Sequence, residues 1–176
     1  MTTCDVVERA LKKGKGGEVE VGAKLAILLS LQLSDPENIY KELKSLLIQM
    51  LTDKTQSAGS RAAVANTLSG LCFLGGGEMA EVVSVMTSLE SVFAGSFNKP
   101  DQAPDVSGLH AACVSGWSLL LSLQSPGEVH RLAQDNVIKK FELLLLANDV
   151  DLRITAGEAI ALILEFAYDY DEVCIY

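Results

Sequence analysis

Residues 148–168 read N-D-V-D-L-R-I-T-A-G-E-A-I-A-L-I-L-E-F-A-Y, and this stretch decides the fold. Asp149 or Asp151 can cap a helix. Ile154, Ala156, Gly157, Ile160, Ala161 and Leu164 then recur at helical spacing as one apolar face. A helix this rich in small and branched residues suits close packing against other helices, so related copies should lie upstream. They do. Aligning Arg153 with Glu20, Arg61 and His110 puts Ala23, Val64, Cys113 and Ala156 in one column. Ile27, Leu68, Trp117 and Ile160 fill a second column, and Leu31, Cys72, Leu121 and Leu164 a third. The intervals are roughly 40 to 50 residues, near the ~40–47 of two- or three-helix HEAT and armadillo repeats. The sequence therefore predicts an all-α, right-handed α-solenoid of about four such repeats in a single domain, residues 1–176, with inner helices near 19–33, 58–74, 107–123 and 151–168.

Composition agrees with this. The chain has 176 residues, 49% apolar, enough to bury a core without staples. Aromatics make up only 6%, so the core is built from Leu, Ala, Val and Ile, which favours packed helices over a sandwich. With 14 basic and 23 acidic side chains the net charge is −9, which opposes binding of nucleic acid by the surface as a whole. Cys4, Cys72, Cys113 and Cys174 show neither CxxC pairing nor the spacing of a secreted scaffold, and two of them fall in core columns. They read as reduced intracellular thiols. The opening residues are polar and acidic, unlike a signal peptide, and each apolar run is broken short of a membrane span, so the expectation is a soluble protein.

Taken in order, a first helix runs from Thr2 or Thr3 to Lys13 and ends at the Gly14–Gly17 loop. Lys12, Lys13 and Lys15 border that loop, but no GxxxxGK[ST] follows a strand, so it is no P-loop. It fits a helix C-cap, and the three lysines are candidate phosphate contacts. Outer helices are expected over 37–51, with Ile39, Leu43, Leu46, Leu47 and Met50 inward, and over 78–94, with Val82, Val85, Met86, Leu89 and Phe93 inward. Gly95–Val106 reads as the one long loop, a mobile insertion or a recognition loop. Trp117 belongs to the core. A short helix opens at Ser125-Pro126-Gly127-Glu128 and another helix completes the outer layer up to Ala147. His110 stands at a helix start and His130 on a polar surface, neither with metal-ligand spacing. Residues 167–176 read as an acidic solvated tail without EF-hand spacing, ending on apolar residues that suggest a fragment of a larger protein.

The partner surface follows from geometry. Turning about 100° per residue from the Arg153 column, two columns fall opposite the core. One holds Leu25, Asn66, Ser115 and Glu158, and the other Gln32, Phe73, Ser122 and Glu165. Side-by-side inner helices would align these as a ladder along a concave face. Gln32, Asn66, Phe73, Ser115, Ser122, Glu158 and Glu165 are the candidate partner-binding residues, with Phe73 as the aromatic anchor. The repeated Trp and Asn of peptide-clamping armadillo grooves are missing. Arg153 itself is expected to bind an upstream carboxylate or carbonyl and so to hold the last two repeats together.

Three segments carry a family resemblance: Val7–Lys15 (V-E-R-A-L-K-K-G-K), Leu89–Phe93 (L-E-S-V-F) and Asp151–Leu162 (D-L-R-I-T-A-G-E-A-I-A-L). Together they resemble the armadillo-like region of the interferon-related developmental regulator family, in order and over nearly the whole chain. The resemblance implies a non-catalytic regulator without cofactors, cytoplasmic and nuclear, with protein partners in a corepressor and histone deacetylase complex or among ribosome components. It also implies a further C-terminal region in larger family members, and it supplies no catalytic residues. An enzyme lacks its parts here: there is no GxSxG, HExxH or dinucleotide fingerprint, and no metal-binding or DNA-reading element. The third class, RNA or ribosome contact, would run through the local lysine patch and requires a groove lined by Lys and Arg.

Overall fold

The computed structural model describes residues 3–14, 16–99 and 101–174, the side chains of residues 3, 4 and 169–174 apart. Among these residues there are ten helices and no strand: α1 (Thr3–Lys13), α2 (Gly17–Gln32), α3 (Pro36–Thr52), α4 (Ala58–Gly75), α5 (Met79–Phe93), α6 (Gly95–Asn98), α7 (Pro104–Leu121), α8 (Pro126–Gln134), α9 (Val137–Leu144) and α10 (Val150–Cys174).

Local chemistry fixes where the helices start. Pro36, Pro104 and Pro126 open α3, α7 and α8, where a missing N–H costs nothing and φ is already helical. The Ser57 hydroxyl accepts the Ser60 N–H at 3.1 Å, Ser125 accepts from Glu128 at 3.3 Å, and Asp149 Oδ1 accepts from Leu152 at 2.9 Å. Each such cap contributes about 1 kcal/mol. Asp149, not Asp151, therefore caps the last helix.

The long helices pack in chain order, α2 on α4, α4 on α7 and α7 on α10. A second layer covers them, with α1 on α2, α3 on α4, α5 on α7, and α8 and α9 on α10. The first aligned column is buried in all four long helices: Ala23, Val64, Cys113 and Ala156. Small residues set the spacing. A Cβ on Gly116 of α7 would lie 2.7 Å from Ser69 Oγ of α4, so only glycine permits this approach. Trp117 is buried as expected, in an aromatic cluster that joins α5, α6, α7 and α9. Its ring centroid lies 5.3 Å from Phe141, which lies 6.0 Å from Phe93 and 5.7 Å from Phe97. Cys72 and Cys113 are buried free thiols, and burial pushes Cys113 up to about 12.

Four expectations need correction. Leu31 and Leu164, placed in a core column, are exposed, whereas Cys72 and Leu121 of that column are buried. The covering layer decides this for Cys72 and Leu31: Cys72 lies against Tyr40 of α3, whereas α1, which covers α2, has only 11 residues. Ile154 and Ala161, expected on the apolar face, are exposed as well, and α10 buries Leu152, Ala156, Ala159 and Ile163 instead. Second, the expected long loop is short, because residues 95–98 form α6 and α7 begins at Pro104. Third, His110 is not at a helix start but inside α7, buried, with Nδ1 2.5 Å from Ser96 Oγ. Fourth, the expected solvated tail is helical through Cys174 as part of α10. At the first loop the left-handed glycine is Gly16 (φ 52°). Thr2 and Lys15 lie outside the described residues.

An ion pair links two elements of the covering layer. Lys44 of α3 meets Glu81 of α5 at 2.7 Å, beside the buried ring of Tyr40. The Lys44 hydrogen bond, opposed by partial desolvation, holds the Glu81 carboxyl below its ordinary 4.5. A depressed carboxylate binds fewer protons folded than unfolded, so its stabilisation is full above pH 4.5 and is lost as pH falls through the depressed value. Wild type and Lys44→Met should therefore differ in melting temperature near neutrality and converge in acid. Curves that stay parallel down to the acid limb would show that the pair contributes nothing.

Candidate partner-binding surface

The seven predicted surface residues are all exposed: Gln32 on α2, Asn66 and Phe73 on α4, Ser115 on α7 and Ser122 at its C-cap, and Glu158 and Glu165 on α10. Their helices contact one another in chain order, so the residues follow one another across the molecule. The Ser69–Gly116 contact closes α4 against α7. Asn66 lies one turn before Ser69 and Ser115 adjoins Gly116, which sets both at the lip of the same seam. Phe73 is 41% exposed, large for a ring at the end of a helix whose other face is in the core.

Sequence columns understate how apolar one end of this row is. Val21, Leu25 and Leu28 of α2 are exposed, as are Leu74 beside Phe73 and Leu119 between Ser115 and Ser122. The signal was available, since α2 is apolar on nearly every side, but a helix between two neighbours would show the same pattern. At the other end Glu158 and Glu165 form no ion pair among the described residues. The row thus grades from apolar on α2, through Asn66, Phe73 and the α7 serines, to acidic on α10. Its two columns contain no Lys or Arg.

The lysine patch is placed differently. Lys12 is held by Glu8 one turn away, and Lys13 borders an apolar groove of about 760 Å³ between α1 and α2, beside Val6, Val21 and Leu25. Lys15 lies outside the described residues. Among the described residues no group of three His, Cys, Asp or Glu side chains is placed to hold a metal ion, and no helix is long and apolar enough to cross a membrane.

A tether recurs along the row. Arg61 Nε donates to the Leu51 carbonyl at 2.8 Å, and Arg153 Nη1 donates to the carbonyls of Ala147 and Asn148 at 2.7 and 2.9 Å. Both arginines occupy the aligned column, and both bind the chain at the end of the preceding outer helix. Arg153 thus locks the junction from α9 into α10, rather than joining the last two pairs of helices to each other. His110 stands at the same alignment position and reaches back to Ser96 of α6.

Comparison with known proteins agrees with the segments singled out above. The family model described as interferon-related developmental regulator matches residues 1–173. The chain is 34% identical to mouse interferon-related developmental regulator 2 over 184 residues, covering 100% of this chain and 42% of that relative. It is 33% identical to human interferon-related developmental regulator 1 over 175 residues, covering 95% of this chain and 39% of that relative. The pig form of regulator 1 gives the same identity and coverage. The chain spans about two fifths of the length of these curated relatives. Resemblance in three short segments thus extends to about one-third identity over the chain, and the chain belongs to the interferon-related developmental regulator family.

Proposed function

We propose that this chain is a non-catalytic protein-interaction module, a right-handed α-solenoid of about four HEAT/armadillo-like repeats that serves transcriptional co-regulation by holding a corepressor complex, in nucleus and cytoplasm. The observation that carries it is the graded row itself: seven exposed residues on four helices packed in chain order, with an exposed aromatic at Phe73 and no basic residue in either column. An extended protein segment suits such a row, since an aromatic and aliphatic end offers buried area while Asn66 and the serines offer hydrogen bonds. The lack of Lys and Arg disfavours a phosphate backbone as the ligand. The repeated arginine tether and the common buried column support the repeat architecture.

The test is recovery of corepressor and histone deacetylase subunits from lysate by the full-length protein, at two salt concentrations and with RNase. Phe73→Ala combined with Glu158→Lys should abolish recovery while leaving helicity and melting temperature nearly unchanged, because both side chains are exposed and surface changes usually stay within about 0.5 kcal/mol. Unchanged recovery by the double variant would remove the row from the interface. Recovery of ribosomal subunits that is lost with RNase would favour translational repression through ribosome contact.

A further inference from the structure

A second concavity lies at the seam where the end of α3, the start of α4, the end of α5 and the start of α7 converge. It has a volume of about 400 Å³, and three nitrogen-bearing side chains line it: Lys54, Arg61 and His110. Each comes from a different element. No carboxylate lines it, although the chain carries 23 acidic residues against 14 basic. The carboxylate of Asp53, next to Lys54 in the chain, accepts from the Thr55 N–H at 2.9 Å and the Thr55 hydroxyl at 2.7 Å, and the Arg61 charge acts on it from beyond ion-pair distance.

The arginine is held in place, and the lysine is an exposed loop residue. Arg61 spends its Nε on the Leu51 carbonyl, which fixes the guanidinium plane, and its Nη groups have no protein acceptor among the described residues. Neither Arg61 nor Lys54 is in an ion pair among the described residues. His110 has its Nδ1 on the Ser96 hydroxyl, so Nε2 is the nitrogen left for the pocket. Once protonated beside a phosphate dianion, the ring donates from Nε2 whichever partner donates in the Ser96 bond. Burial and the Arg61 charge both hold His110 below its ordinary 6.5. The remaining wall is partly apolar, with Val92, Val106 and Leu109.

We propose that this pocket binds the phosphoryl group of a phosphorylated serine or threonine side chain presented by a protein partner. Donors on three different elements can serve the three terminal oxygens of a phosphoryl group, whereas a carboxylate is already satisfied by one arginine fork. The apolar wall takes the carbon stem. A single compact cluster neutralises one phosphate, and a polynucleotide needs a row of such contacts, which a chain of net charge −9 opposes. The pocket is separate from the row that carries Phe73, so it stands or falls independently of that surface.

The experiment follows the ring resonances of the two histidines, His110 and His130, by NMR during titration with blocked phosphoserine, blocked serine, blocked glutamate and a single-stranded uridine hexamer. Blocked phosphoserine should shift His110 and raise its titration midpoint, because a dianion beside the ring favours the imidazolium, and His130 should stay in place. Lys54→Glu, a change at an exposed loop residue, should weaken that response about ten-fold or more and leave the melting temperature unchanged. The proposal is overturned if His110 and His130 move together, if blocked glutamate binds as well as blocked phosphoserine, or if Lys54→Glu binds as wild type does. Tighter binding of the uridine hexamer at His110 overturns the assignment to a protein side chain.

Discussion

Phe141→Ala is expected to lower the stability of the fold by about 3–5 kcal/mol, the range for removing a fully buried aromatic ring. Phe141 is 1% exposed and is the residue on which three other rings converge: Trp117 of α7, Phe93 of α5 and Phe97 of α6. Its own helix has only eight residues, too few to be stable without tertiary support. Truncation therefore removes the ring's transfer energy, leaves a cavity walled by rigid rings that relax poorly, and frees α9 from the rest of the molecule. Urea denaturation followed by circular dichroism checks this, with Phe73→Ala as the control. That ring is 41% exposed, and its loss should cost far less. A loss below about 1 kcal/mol for Phe141→Ala would mean that the cluster does not hold α9 in place.

The second large effect is expected at the arginine tethers. Arg153→Ala removes two charge-assisted bonds to the carbonyls that end the α9–α10 connection, and Arg61→Ala removes the bond to Leu51 at the end of α3. Such bonds contribute about 1.5–3 kcal/mol when partly buried, and both arginines are half-buried. The two sites share no partner, so the double variant should lose close to the sum of the single losses. Hydrogen exchange gives the sharper readout: Arg153→Ala should open the first turns of α10 and leave α4 protected. If denaturation midpoints and exchange are unchanged, the carbonyls are equally well served by water and the tether is incidental.

The arginine column also shows how far a sequence can be read. That Arg61 and Arg153 occupy equivalent places was legible, because the buried column three residues on, Val64 and Ala156, marks the same register. That both bind the carbonyl end of the preceding helix was not, since a partner defined by backbone position leaves no pattern of residue types. The pocket of Lys54, Arg61 and His110 was invisible for a similar reason. His110 lies far along the chain from Lys54 and Arg61, and none of the three has a motif around it. His110 looked solitary because Ser96, its partner, sat in a stretch that reads as loop. Two prolines and a glycine there suggest a break, yet Pro104 opens a helix, a role that proline fills as readily as it ends one.

The sequence by itself determined the helical composition, the approximate limits of the long helices, the buried column and the exposed stripe opposite it, and the family. These depend on periodicity and residue type along one helix, which are local properties. Only the tertiary structure decided which apolar positions are buried. Leu31 and Cys72 stand at the same place in the register, yet one faces solvent and the other the core, because Tyr40 of the long α3 covers Cys72 while the covering helix of α2 has only 11 residues. Burial depends on what stands beside a helix, and a single helix carries no record of its neighbours.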